Sequence, residues 1–244
     1  VASAHRRLGN SEEYVALLEA TLASSEALHG PDAPVTAVRL ANLVVARLGR
    51  GGDRAPLLPD LDRAIDVLRP AGRTFAPRLA GILINRSAVH FSLKDYAAGE
   101  ADLDECLRVL EGVEGQQAAE LRVSTKTFRG ESYMHQRKLE EAEAVLREAV
   151  ADRQALFGAE FHDSMITDYQ YIAIIPRLGG DYALCCERSI ENARRYAKSL
   201  GPGHYQVERS RVRAQKALQG YESQEGADAD RIASLRAAIS DLNE

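Results

Sequence analysis

The chain reads as an all-α protein, a superhelical array (solenoid) of about five antiparallel helical hairpins closed by a C-terminal capping helix. Three observations predict this. Gly30, Gly72, Gly115, Gly158 and Gly201 recur at spacings of 42, 43, 43 and 43 residues, and regular recurrence of a residue that ends helices means one unit copied along the chain. Within the intervals, apolar residues fall three and four apart, the period of an amphipathic helix. Ala, Leu and Arg are abundant and Trp is absent, a mix that favours helix. Repeats are expected at about 1–30, 31–72, 73–115, 116–158 and 159–201, with a hairpin and cap over 202–244, all in one domain spanning 1–244.

Taken in order, the elements follow from turn and packing chemistry. Residues 1–10 are polar, carry Arg6 and Arg7 and show no cleavable signal. Because Val1 lies only eight residues before a Gly9 hinge and no methionine precedes it, the sequence reads as cut from something longer. In the second repeat the Gly49-Arg50-Gly51-Gly52 turn carries an extra residue, and Pro56 and Pro59 predict a late start for its second helix. The clearest unit is the fourth. Its first helix runs through Leu121, Phe128 and Tyr133 to Gln136-Arg137-Lys138, and its second places Leu139, Ala142, Val145, Leu146, Ala149 and Val150 on one face. So short a break allows only an antiparallel hairpin.

With Gly9, Gly52, Lys94, Arg137 and Gly180 as hinges, the residues twelve further on are Thr21, Ala64, Cys106, Ala149 and Asn192, followed by Leu22, Ile65, Leu107, Val150 and Ala193. A small residue followed by an apolar one suits close helix approach. Beyond Gly201 a helix is predicted over 204–219 and a polar break over 222–226. A last helix then carries Ile232, Leu235, Ile239 and Leu242 on one stripe and covers the final hairpin.

Composition bounds the function. The 244 residues are 45% apolar and 27% charged, with a formal net charge of −5. That balance argues against a general binder of nucleic acid or anionic membranes, which needs a basic face. No apolar run approaches the roughly 20 residues that cross a bilayer. Cys106, Cys185 and Cys186 make no disulfide framework, which points to a reducing, cytoplasmic setting.

The hinges Gly180-Asp181-Tyr182 and Lys94-Asp95-Tyr96, and the helix start Leu139-Glu140-Glu141-Ala142-Glu143, resemble tetratricopeptide repeats. The 42–43 residue period exceeds the family's usual ~34. Together with the loops at 28–34 and 200–204, it is similar to the long repeats of the kinesin light chain type, also common in bacterial signalling proteins. The likeness covers nearly the whole chain, departing at the second repeat and at Gly72 and Gly115, whose loops lack the Pro-Asp-His pattern.

The resemblance implies a right-handed superhelix whose first helices line a concave groove, with asparagines there that hydrogen-bond a peptide backbone. Asn42 and Asn85, 43 residues apart, take that place in two successive first helices, while Phe128 and Tyr171 occupy it in the next two. A bland alternative for the asparagines is a solvated or packing amide. By the same register the groove should also show Val38, Ile84, Ala88, Phe91, Thr127, Glu131, Met134, Gln170, Ile174 and Arg177, a mixed lining suited to a helix or an apolar peptide.

Constellations for chemistry are weak. Gly49-Arg50-Gly51-Gly52 lacks the Gly-Lys-Ser/Thr ending that cradles phosphate. The six histidines are scattered, and His204 reads as a loop or capping residue. Cys106 and Cys185 sit at small packing positions, whereas Cys186 stands beside one, where exposure and a redox role stay open. Glu140, Glu141 and Glu143 suit a helix start facing water. Arg194, Arg195, Lys198, Arg209, Arg211, Arg213 and Lys216 make the C-terminal hairpins locally basic, a solvated face or a dock for an acidic partner or nucleic acid.

The expectation is therefore a non-enzymatic module without catalytic residue, metal or cofactor, binding a peptide or partner helix as the recognition arm of a larger protein. Its alternative is a peptide-responsive sensor that controls an attached kinase, protease, nucleotide triphosphatase or DNA-binding effector.

Overall fold

The structure, a computed structural model, describes residues 11–49 and 53–243. Among them are eleven α-helices and no strand. The Gly9 hinge, Arg50, Gly51 and the Gly52 hinge lie outside the described residues. The chain divides into two compact units, split between Phe128 and Arg129.

The first unit holds α1 (Ser11–His29), α2 (Pro34–Leu48), α3 (Leu58–Leu68), α4 (Ala76–Ser92), α5 (Tyr96–Val109) and the first part of α6 (Gln116–His135). Each of α1 to α4 packs on the helix that follows it. Pro56 and Pro59 act as expected: a 3-10 turn at Ala55–Leu57 precedes α3, and each proline sits in a first turn, where its missing N–H costs nothing. Leu61, Ala64, Ile65 and Leu68 of α3 are at most 1% exposed, packed with Leu83, Val89, Leu103 and Cys106. Burying each large aliphatic side chain is worth about 1.5–3 kcal/mol. Arg86 on α4 bridges Asp62 of α3 and Asp102 of α5, each at 2.6 Å, so a single cation fastens three helices.

The second unit holds the rest of α6, α7 (Leu139–Phe157), α8 (Ile166–Leu178), α9 (Tyr182–Leu200), α10 (Tyr205–Glu222) and α11 (Ala229–Ser240). From α7 onward each helix packs on the next. α10 runs three residues further than the sequence pattern suggests. It ends at Glu222, and near that end Gly220 lets the aromatic ring of Tyr182 lie against the backbone, 2.3 Å from where a Cβ would stand. α11 lays Leu235 and Ile239, both 6% exposed, against Cys185, Cys186, Ala214 and Leu218, with Ile232 and Leu242 flanking.

All five ruler glycines have positive φ, from 60° to 103°. Each follows the second helix of a pair, so the spacing marks the points where a left-handed residue reverses the chain. The hinges repeat one geometry as well. Lys94, Arg137 and Gly180 have φ of 64°, 63° and 91°. The N–H three residues past each helix returns to the carbonyl five before it: Asp95 to His90, Lys138 to Tyr133 and Asp181 to Pro176, each at 2.9 Å. This is the Schellman closure. Asp95 and Asp181 then cap the next helix, accepting from Ala98 at 3.1 Å and Leu184 at 2.8 Å. Lys138 has the same backbone but offers no acceptor.

A left-handed lysine is strained, since its Cβ crowds the following carbonyl at about 1–2 kcal/mol. Lys94 is exposed and Arg137 is not an equivalent choice, because its Nη1 donates to Leu178 O at 2.7 Å. Lys94→Gly is expected to stabilise the protein by about 0.5–1 kcal/mol after the extra entropy of the unfolded glycine. Chemical denaturation checks this, and a loss of stability would contradict the hinge assignment.

Candidate functional site: two furrows between first helices

The first helices of the hairpins are α2, α4, α6, α8 and α10, and two concavities open between them, one in each unit. In the first unit a shallow furrow of about 160 Å³ lies between α2, α4 and α6. Val38, Asn42, Ala41 and Val45 line it from α2, Gly81, Ile82 and Asn85 from α4, and Gln117 and Leu121 from α6. Asn42 is exposed and Asn85 half-buried, and Val45 is 39% exposed, unusual for a large aliphatic residue. The two asparagines expected to sit on equivalent turns therefore share one furrow. Gly81 leaves open space where a side chain would stand.

Other positions from the sequence reading fall elsewhere. Ile84, Phe91 and Thr127 are buried at 5%, 3% and 6% exposure, in the packed interior rather than on the furrow's lining. Phe91 is held there by Gly99 of α5: a Cβ on that glycine would stand 2.2 Å from the ring. Ala88 is half-buried outside the furrow, and Phe128 packs onto the core of the first unit. A first helix contacts a second helix on each side, which leaves only a narrow strip of it uncovered.

In the second unit Met134 is 8% exposed, within a core of Leu146, Ile172 and Ile175. Glu131 and Tyr171 come together through a side-chain hydrogen bond, and burial followed by that carboxylate pushes the phenol well above its usual range. Gln170 donates to Gln206 Oε1 at 2.6 Å, and Gln206 donates in turn to Tyr205 Oη at 3.0 Å. Ile174 and Arg177 line a larger cavity of about 590 Å³ between α8 and α10, floored by Cys185 of α9. Its other wall is one face of α10: Tyr205, Glu208, Arg209, Val212, Arg213, Lys216 and Ala217. These fall three and four apart, so extending the groove register past Gly201 along that helix would have found them.

The remaining candidate chemistry settles into packing. All three cysteines are buried. Cys186, for which exposure was open, is fully buried, because α11 covers that face of α9. Burial pushes the Cys106 and Cys186 thiols up to about 12 and raises that of Cys185, so none is a thiolate near neutral pH. His204 caps α10, its Nδ1 accepting from Gln206 N at 3.3 Å. Among the described residues no helix is long and apolar enough to cross a membrane.

Recurring hinges, paired helices and furrows between first helices define a helical-hairpin repeat protein. Residues 124–163, the end of α6 and the whole of α7, match the family model of the tetratricopeptide repeat. The chain therefore contains a tetratricopeptide repeat, a unit that in general mediates contacts between proteins and is typically a non-catalytic scaffold. No curated protein matches the chain. Among solved structures, two of kinesin light chain nearly identical TPR-like repeats from Podosopora anserina, one a glutamine-to-methionine variant, align at 16% and 15% identity. They cover 99% of this chain and 92% and 91% of theirs, each with a TM-score of 0.40. Overlap that loose carries no argument about function.

Proposed function

We propose that the protein is a recognition module that holds a partner's peptide segment in the furrow between α2, α4 and α6. The observation that carries this reading is the presence of Asn42 and Asn85 on one lining, from adjacent first helices. Each amide offers a donor and an acceptor, the pair a peptide bond requires. Val38, Val45 and Leu121 beside them supply apolar contact for alternate side chains. A furrow this shallow does not enclose a small molecule, whose sites are typically about 300–1,000 Å³. An extended segment lying across several helices gathers contact along its length instead.

The test is selection of a displayed random-peptide library against the whole chain. Enriched peptides should share a short motif, and the Asn42→Ala/Asn85→Ala double variant should bind them at least tenfold more weakly while melting at an unchanged temperature. No enrichment, or enriched peptides that bind the double variant equally well, would overturn the reading.

A further inference from the structure

The cavity between α8 and α10 is unlike the rest of its unit in its charge balance. Elsewhere in that unit most arginines find carboxylates, as Arg188 does with Glu143 at 2.8 Å, Arg195 with Glu191 at 2.6 Å and Arg231 with Glu187 at 2.8 Å. Four cations line the cavity, Arg177 from α8 and Arg209, Arg213 and Lys216 from α10, and none of them is ion-paired to a carboxylate among the described residues. The one acidic residue on the lining, Glu208, has both oxygens engaged by Arg211, at 2.8 Å each. Four positive charges thus share one concavity with nothing to neutralise them.

Arg213 makes the imbalance costly. Its Nη1 is shut off from water and has no acceptor within hydrogen-bonding distance. Burial, then repulsion from Arg209 and Arg177, pushes the guanidinium below its ordinary pKa. Arg213 as a whole is half-buried, and a guanidinium with one nitrogen shut off from water and no counter-charge is rare in folded proteins, because that desolvation is otherwise uncompensated. Beside the cations stand apolar and aromatic surfaces, with Tyr205 63% and Val212 37% exposed.

We propose that this cavity binds a phosphomonoester, its oxygens against Arg213, Arg209 and Arg177 and its organic part against Tyr205, Val212 and Ile174. A dianion with three terminal oxygens matches several guanidiniums on one lining better than a single carboxylate does. The 590 Å³ volume suits a small organic phosphate or a phosphorylated side chain. Nucleic acid fits less well, since it needs a basic track along a surface rather than cations confined to one hollow, and the chain carries a net charge of −5. The site lies on other helices than the peptide furrow, and neither proposal depends on the other.

The experiment is calorimetric titration and thermal melting of the whole chain with O-phosphoserine, inorganic phosphate and glutamate at matched ionic strength. Phosphoserine should bind and raise the melting temperature, with glutamate at least tenfold weaker. Inorganic phosphate weaker than phosphoserine assigns the site to an organic monoester, whereas phosphate as tight as phosphoserine would overturn the role given to Tyr205, Val212 and Ile174. Arg213→Met should abolish the ligand-induced shift while raising the melting temperature of the free protein, because it removes an unpaired, half-buried charge. Arg209→Gln, exposed and outside the core, should fold normally and lose several-fold in affinity. No binding, equal binding of glutamate, an unchanged response in both variants, or tighter binding of a single-stranded oligonucleotide than of phosphoserine would overturn it.

Discussion

Asp168→Ala is expected to cost the protein about 3–5 kcal/mol, the largest effect of any single substitution considered, because it removes the buried counter-charge of Arg153. Asp168, at 0% exposed, accepts a charge-assisted hydrogen bond from Arg153 Nη1, and Arg153 is itself 4% exposed. The two lie on α7 and α8, so the pair fastens the second helix of one hairpin to the first helix of the next. Their attraction in a dry setting roughly offsets the expense of taking both out of water, and losing one partner removes only the attraction. The double variant Arg153→Met/Asp168→Leu should therefore recover most of the lost stability. Urea denaturation of the three variants decides the matter. A loss below about 1 kcal/mol in Asp168→Ala would mean that water reaches the pair.

Gly99→Ala should destabilise by about 2 kcal/mol, although alanine is the better helix former by about 1 kcal/mol. On an exposed helix the exchange would be favourable. Here the new methyl would stand 2.2, 2.5 and 2.9 Å from three carbons of the Phe91 ring, inside van der Waals contact. Phe91 is 3% exposed and belongs to the core of the first unit, so it cannot swing out of the way without opening that core. Pairing the change with Phe91→Leu should return part of the loss, since the smaller side chain makes room for the methyl. Additivity of the two single effects, read from thermal melts, would contradict the proposed collision.

Phe91 also shows where the sequence runs out. The 43-residue period around it is legible because chain reversal needs a left-handed residue, and glycine supplies it at Gly30, Gly72, Gly115, Gly158 and Gly201. Aspartate after the hinge was legible for the same local reason: Asp95 and Asp181 cap helices through atoms three residues away. Which side of a first helix faces outward is not a local property. It depends on two neighbouring second helices, and one position shifts a side chain by about 100°. Asn85 therefore lines the furrow while Ile84, beside it, is core.

The basic residues of the last hairpins teach the same lesson in charge. As letters they form one cluster of seven. In the fold Arg195 and Arg211 are matched with Glu191 and Glu208, and Lys198 stands 3.9 Å from Glu160, while Arg209, Arg213 and Lys216 gather round one hollow. Spacings of four and three within one helix already single out Arg195 and Arg211, whereas the meeting of Arg177 of α8 with the α10 cations is not written in any local spacing.

The three matching hinges carry a consequence for how such a chain can lengthen. The backbone bonds from Asp95 to His90, Lys138 to Tyr133 and Asp181 to Pro176 each span six consecutive residues, 90–95, 133–138 and 176–181. None waits for a distant segment to arrive, so duplicating or excising a whole period would leave every surviving bend chemically complete. Growth by copying then demands only that each new hairpin present compatible faces to its neighbours, which makes length the cheapest trait of this architecture to vary.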